Sequence, residues 1–130
     1  MYESVTHAVR VVVTPTFVME KSEPEDSRWF WSYRVEITNF RPEAITLRSR
    51  HWVITDGLGR VQEVRGPGVV GEEPRIASGA TFEYTSGCPL GTPSGFMVGS
   101  YRMQGEDGAF FEVAIPAFSL DTPDVRRVVN

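Results

Sequence analysis

The chain of 130 residues fits one domain, residues 1–130, and is long enough to bury a hydrophobic core. Hydrophobic residues make up 41% of it and charged residues 23%, a composition that excludes wholesale disorder. The formal charge of −4 argues against a general nucleic-acid coat, and no apolar run reaches the roughly 20 residues needed for membrane insertion.

The first half of the chain contains short apolar segments bounded by Gly, Pro, Asn or Asp. Thr6–Met19 is the first predicted strand, and Pro15 within it favours an edge or a bulge. Ser22–Ser27 is predicted to be a polar loop without structure of its own. Arg28–Phe40 has the clearest period of two, which places on one face Trp29, Trp31, Tyr33, Val35 and Ile37.

Turn sequences separate the remaining predicted strands. Asp56-Gly57 with Gly59 indicates a hairpin, and Glu106-Asp107-Gly108 indicates another. A helical pattern occurs only briefly, near Asp124–Val128, and the termini could be flexible. The predicted strands here are Ala44–Thr55, Arg60–Arg65, Ala80–Thr85, Gly95–Met103 and Ala109–Phe118. We therefore predict an all-β, immunoglobulin-like or fibronectin type III-like β-sandwich of seven to eight antiparallel strands, closer to the fibronectin kind because paired cysteines are lacking.

A glycine-rich loop has the spacing G-x-G-x-x-G of dinucleotide-binding turns, at Gly66, Gly68 and Gly71. Glu72 and Glu73 follow at once, and their carboxylates would repel a pyrophosphate. No helical period follows that would supply a helix N-terminus for one. Successive N–H groups of a glycine turn can nevertheless form a concave anion site.

Three arginines are predicted beside this loop. If the strands around the Asp-Gly turn pair as a hairpin, Arg50 falls opposite Arg65, and Arg48 lies on the same face as Arg50. Guanidinium groups suit phosphate recognition, so these arginines and the three loop glycines form a candidate anion site. The structural alternative is that the glycines permit positive φ and close strand approach, while Val69 and Val70 plug the end of the sandwich.

Few residues have the chemistry of a catalyst. His7 and His51 are the only imidazoles, and Cys88 lies in a sequence without the signature of a reactive thiol. No metal-binding motif occurs, and Glu72, Glu73 and His51 are weak candidates for Mg²⁺ or Co²⁺. We therefore expect no catalytic residues and no cofactor beyond weak association of these ions. One cysteine and the lack of a leader sequence favour the cytoplasm.

Two features favour association with other chains. Phe30 and Phe111 fall on the opposite parity from apolar neighbours, which predicts either burial on both faces of the strand or an exposed aromatic patch for a protein partner. The first predicted strand, Thr6–Met19, is a flat edge that would support a homodimer.

Several short motifs occur in order along nearly the whole chain: RHWVITDG (50–57), VQEV (61–64), GPGVVG (66–71), YTSG (84–87), TPSG (92–95), MVGSY (97–101) and IPAFSL (115–120). With these motifs in this order, the chain resembles the ApaG family. The resemblance implies a fibronectin type III-like sandwich and a bacterial protein associated with cobalt resistance and magnesium efflux. Similar domains in some eukaryotic F-box proteins and in a polymerase-delta-interacting protein act as interaction modules, and the family name implies no hydrolase activity here.

Three functions follow from these expectations. The first is a non-enzymatic protein-interaction module with an indirect role in metal efflux, since the chain has no span for ion transport. The alternative is a small-ligand binder that takes phosphate, a nucleotide or a divalent cation at the glycine-rich loop. A nucleotide pyrophosphate hydrolase is least favoured, because no pair of general base and nucleophile is visible.

Overall fold

The computed structural model describes residues 1–123 and consists of two antiparallel β-sheets packed face to face. This confirms the predicted all-β sandwich. Its strands are β1 (Tyr2–Thr6), β2 (Val9–Phe17), β3 (Trp29–Asn39), β4 (Ile45–Asp56), β5 (Val61–Pro67), β6 (Arg75–Ile76), β7 (Thr81–Leu90), β8 (Gly95–Gly105) and β9 (Phe110–Leu120). The predicted helical stretch at 124–128 lies outside the described residues. Within residues 1–123, no helix is long and apolar enough to cross a membrane.

The two sheets differ in strand order. One has the order β1-β2-β3-β7, and the other has the order β5-β4-β8-β9 with the short β6 paired to β4. Alternate residues of each strand point into the space between the sheets, as the period of two requires. In β3 these are Trp31, Tyr33, Val35 and Ile37, all buried, and they pack against a core that includes Leu47, Trp52, Tyr101, Val113 and Phe118.

The first predicted strand, Thr6–Met19, corresponds to β2, and β1 before it was not predicted. His7 and Ala8 have φ of +51° and +62°, so the chain reverses there and β1 pairs back on β2. The prediction that Thr6–Met19 is an edge strand is therefore wrong for β2, because β2 lies between β1 and β3. Beyond Val13, β2 has no β1 residue beside it and pairs with β3 alone, so Pro15 lies in a stretch that is locally an edge, where proline is tolerated.

Two further predictions need correction. Ser22–Ser27 carries a short 3₁₀ turn at Pro24–Asp26, which follows another at Met19–Lys21. Phe111 has the parity of the buried Val113 and packs against the core, so the exposed aromatic residue of β9 is Phe110. Both predicted hairpin turns are present, between β4 and β5 and between β8 and β9.

One side of the sandwich is closed and the other is open. On the closed side β1 and β2 pack against β9. Ser4 Oγ donates to the carbonyl of Ala114 at 2.9 Å, and the N–H of Ala114 donates to Thr6 Oγ1 at 3.2 Å. On the other side, β5 and β7 are the sheet edges, and no comparable packing joins them in the described part of the chain. The core is therefore most accessible between β5 and β7.

Candidate functional site

The glycine-rich loop joins β5 to β6 and is a tight turn. Gly68, Val70 and Gly71 all have positive φ, at +58°, +44° and +81°. The N–H of Val69 donates to the carbonyl of Glu72 at 2.8 Å, and the N–H of Glu72 donates back at 2.9 Å. Val69 is buried while Val70 is exposed, so Val69 alone plugs the end of the sandwich.

This turn uses its own polar groups. Besides the two bonds above, the N–H of Gly68 donates to the carbonyl of Arg48 at 2.8 Å. A Cβ at Gly68 would meet the carbonyl oxygen of Glu72, so the backbone approach itself requires glycine there. These backbone N–H groups already donate hydrogen bonds within the protein. The positive φ and the close backbone approach explain the glycines without a ligand.

The predicted convergence of three guanidinium groups is not what the register produces. Arg50 pairs with Gly66, while His51 pairs with Arg65. Because neighbouring residues on a strand point to opposite faces, this one-residue difference places Arg50 and Arg65 on opposite sides of the sheet. Arg50 shares the inward parity of the buried Trp52. Its Nη1 donates at 3.0 Å to the carbonyls of both Pro67 and Gly68.

Arg48 lies on the outer face because of an irregularity in β4. The register with β8 shifts between Leu47 and Ser49, so Arg48 is an extra residue there. Its Nε donates to Gln104 Oε1 at 2.8 Å, and its Nη1 lies 3.2 Å from Glu73 Oε1. Arg48 and Arg65 therefore share the outer face, whereas Arg50 borders the groove on that face but directs its guanidinium to the carbonyls of Pro67 and Gly68.

A groove crosses this outer face over β5, β4, β8 and β9. It has a volume of about 760 Å³, and we call it the outer groove; its lining includes Arg48, His51, Arg65, Arg102, Phe110 and Glu112. The guanidinium of Arg102 lies 4.2 Å from the ring centroid of Phe110, which is 50% exposed. Arg102 has no carboxylate within ion-pair distance among residues 1–123. The sequence reading missed Arg102 and Phe110, because it took Phe111 as the exposed ring.

Two of the three weak metal candidates, His51 and Glu73, have other partners. His51 Nε2 lies 2.8 Å from Glu63 Oε1, and this hydrogen bond together with the charge of Arg65 lowers the pKa of Glu63. Glu73 pairs with Arg48. In the described ranges, no cluster of three or more His, Cys, Asp or Glu side chains is arranged to hold a metal ion.

A second cavity opens between the sheets, at the side where β5 and β7 are the edge strands. Two adjoining volumes of about 280 and 210 Å³ share Tyr33, Arg50, Trp52 and Ser86 in their lining; we call them together the inter-sheet cleft. Cys88 lies in its wall, where burial raises the pKa of the thiol to about 11. The sequence contained one indication of this site: Arg50 lies two residues before Trp52 on the same strand, so both side chains lie on the inward face.

Comparison with known proteins decides the family. The family model described as the ApaG domain matches residues 19–105, which span β3 to β8 and include the glycine-rich loop. The chain belongs to the ApaG family. Protein ApaG of Bradyrhizobium sp. (strain ORS 278) is 61% identical over 130 residues, and that of Brucella suis biovar 1 is 56% identical over 130 residues. In both cases 100% of each chain is covered.

Solved structures of ApaG-like proteins have the same fold. The crystal structure of an ApaA protein from Bordetella pertussis has a TM-score of 0.86 at 53% identity, covering 88% of this chain and 94% of that one. The C-terminal domain of wzt has a TM-score of 0.53 at 8% identity, which is a likeness of fold alone. β9, with Phe110 and Glu112, lies beyond the part matched by the ApaG domain model.

Proposed function

We propose that this protein is a non-enzymatic interaction module that binds an extended acidic segment of a protein partner in the outer groove. The observation that carries the proposal is the meeting of Arg65 and Arg102 with the exposed ring of Phe110 in one groove. Arginine and aromatic side chains are the groups that most often dominate binding at protein interfaces. The cytoplasm is the proposed location.

The length of the groove suits a short extended peptide. It crosses four strands, from Arg65 on β5 to Phe110 on β9. Neighbouring strands lie about 4.8 Å apart, so three intervals span roughly 14 Å, the length of about four extended residues. A carboxylate of such a segment would meet the two guanidinium groups, and an apolar side chain beside it would pack on Phe110.

The charges of the groove predict moderate, salt-sensitive binding. Arg102 is free of an ion pair among the described residues, whereas Arg65 lies 3.5 Å from Glu63. Glu112 is the cross-strand neighbour of Arg102 but lies beyond ion-pair distance from it. A partner carboxylate must therefore compete with Glu63 for Arg65, and added salt will weaken exposed ion pairs of this kind.

The surroundings of the candidate nucleophile, Cys88, and of the candidate bases, His51 and His7, favour a binding role over a catalytic one. The raised pKa of Cys88 keeps its thiol protonated near neutrality, and protonated thiols are poor nucleophiles. His51 hydrogen-bonds Glu63 on the outer face, while the ring of His7 lies 5.6 Å from that of Phe111. A role in cobalt resistance and magnesium efflux would then be indirect, exerted through the protein partner.

A peptide selection tests this proposal. We would select binders from a phage library of random short peptides against the whole protein. Their affinities would then be measured by isothermal calorimetry on the protein and on Arg65→Ala/Arg102→Ala. We expect selected peptides rich in Asp and Glu, with affinity at least about tenfold weaker in the double variant and falling as salt rises.

Arg34→Ala is the matched control, because Arg34 is an exposed arginine on the outer face of the other sheet, ion-paired with Glu83. It should leave the affinities unchanged. Selected peptides without acidic enrichment, or equal affinity for the wild type and the double variant, would refute the proposal.

A further inference from the structure

The inter-sheet cleft is lined by groups of complementary chemistry from both sheets. Tyr33 and Ser86 face it from one sheet, and Arg50 and Trp52 face it from the other. The rings of Tyr33 and Trp52 meet edge to face, with centroids 5.4 Å apart. The remaining lining residues include the apolar Ile54, Met97 and Val64, the last on the edge strand β5. The cleft thus combines aromatic surface with a few polar donors, as small-molecule sites do.

Arg50 is a half-buried cation whose charge is not neutralised within the described chain. No carboxylate among residues 1–123 lies within 4.0 Å of its guanidinium, and no Asp or Glu in that part lines the cleft. Its Nη1 donates to two loop carbonyls, while Nε and Nη2 have no hydrogen-bond partner in the described part. A guanidinium partly removed from water favours an anion that can accept from its free edge.

The charge of Arg50 also reaches the phenols around it. Burial raises the pKa of Tyr33, Tyr84 and Tyr101, and the positive charge of Arg50 opposes that rise at all three. The phenols stay neutral near pH 7, so they offer hydrogen bonds and ring surface without repelling an anion. Tyr84 and Tyr101 already bond each other through their hydroxyl groups. Ser86 interacts with the hydroxyl group of Tyr33, so a ligand carboxylate would accept from Ser86 in competition with Tyr33.

From these observations we infer that the inter-sheet cleft binds a small aromatic carboxylate, with its carboxylate on Arg50 and Ser86 and its ring against Trp52 and Tyr33. A monocarboxylate matches the single cation that lines the cleft in the described part of the chain. The larger of the two adjoining volumes, about 280 Å³, lies just below the range of drug-sized sites, so that part of the cleft alone holds about one ring. Divalent cations are disfavoured, because the site is positive.

Titration of the isotope-labelled whole protein with benzoate, followed by NMR, tests the inference. We expect saturable shifts at the amides of Arg50, Val64 and Ser86. Benzyl alcohol lacks the charge and inorganic phosphate lacks the ring, so both should bind at least about tenfold more weakly. Arg50→Met should weaken benzoate binding by at least about tenfold, whereas Arg65→Met, on the opposite face of the sheet, should not change it.

Since Arg50 also bonds two loop carbonyls, Arg50→Met could fail to fold. Ser86→Trp, which fills the cleft from β7, provides a second variant, and it should abolish the benzoate shifts in a protein with an intact spectrum elsewhere. The inference is overturned if benzoate produces no saturable shifts, if phosphate binds as tightly as benzoate, or if benzoate binding survives in the folded variants. Arg50 also borders the outer groove, so Ser86→Trp, which lies on the other sheet, and Arg65→Met distinguish binding in the cleft from binding in the groove.

Discussion

The glycine-rich loop allows a sharp test of whether its glycines are required by space or only by backbone conformation. A Cβ at Gly68 would stand 1.9 Å from the carbonyl oxygen of Glu72, whereas a Cβ at Gly71 would meet nothing within 4 Å. Both residues have positive φ. The same substitution, glycine to alanine, therefore separates the two effects within one turn.

The magnitudes differ enough to be measured. Left-handed backbone costs an alanine about 1–2 kcal/mol, which is the whole cost expected for Gly71→Ala. In Gly68→Ala the Glu72 carbonyl must in addition retreat from 1.9 Å to the 3.0 Å that a real Cβ tolerates. That movement breaks its 2.8 Å bond from the N–H of the buried Val69, at a further cost of about 1–3 kcal/mol. We expect Gly68→Ala to lower the free energy of unfolding by about 3 kcal/mol.

Urea unfolding followed by tryptophan fluorescence is the assay, since Trp31 and Trp52 are buried and will report loss of the core. The midpoint should fall in both variants, with the larger decrease for Gly68→Ala and no change in the slope m. Equal destabilisation by the two substitutions would refute the steric reasoning, because only one of them introduces a clash.

Two further predictions concern buried groups. Asn39 is fully buried and bonds the backbone at three places, with Nδ2 donating to the carbonyls of Glu43 and Ile76 and Oδ1 accepting from the N–H of Arg41. Asn39→Ala should cost about 3 kcal/mol in urea unfolding, and a loss below about 1 kcal/mol would contradict the role assigned to these bonds. Burial raises the pKa of Cys88 to about 11, so at pH 8 its thiolate fraction is roughly a hundredfold below that of an exposed thiol. Its alkylation by iodoacetamide should be slower by at least that factor than in urea-unfolded protein and should accelerate as pH approaches 11; equal rates in folded and unfolded protein would show the thiol to be accessible.

Local patterns predicted the strands whose signals lie in neighbouring residues. β3 could be read from its alternation alone, and the hairpin between β4 and β5 from Asp56-Gly57 with Gly59. The reversal at His7 and Ala8 was missed, because no Gly, Asn or Asp marks a turn there and the pairing of β1 with β2 holds both residues at positive φ.

The side chains that meet in the two candidate sites depend on the register in which the strands pair. Local sequence patterns specify that register only weakly. Arg50 was expected opposite Arg65, but the structure pairs it with Gly66, and this single step moves its guanidinium to the other face of the sheet. The extra residue Arg48 in β4 moved that side chain to the outer face in the same way. These two shifts decide on which face of the sheet each arginine side chain lies, and therefore which side chains reach the outer groove and the inter-sheet cleft.

The sequence alone determined the sandwich, most of its strands, its hairpin turns and its resemblance to the ApaG family, because each of these depends on alternation, turn residues or ordered motifs along the chain. The tertiary structure decided which arginines share a face, which phenylalanine is exposed, and that the sandwich is open between β5 and β7. Those features depend on pairing between segments far apart in the chain, where one residue of register reverses the direction of every side chain.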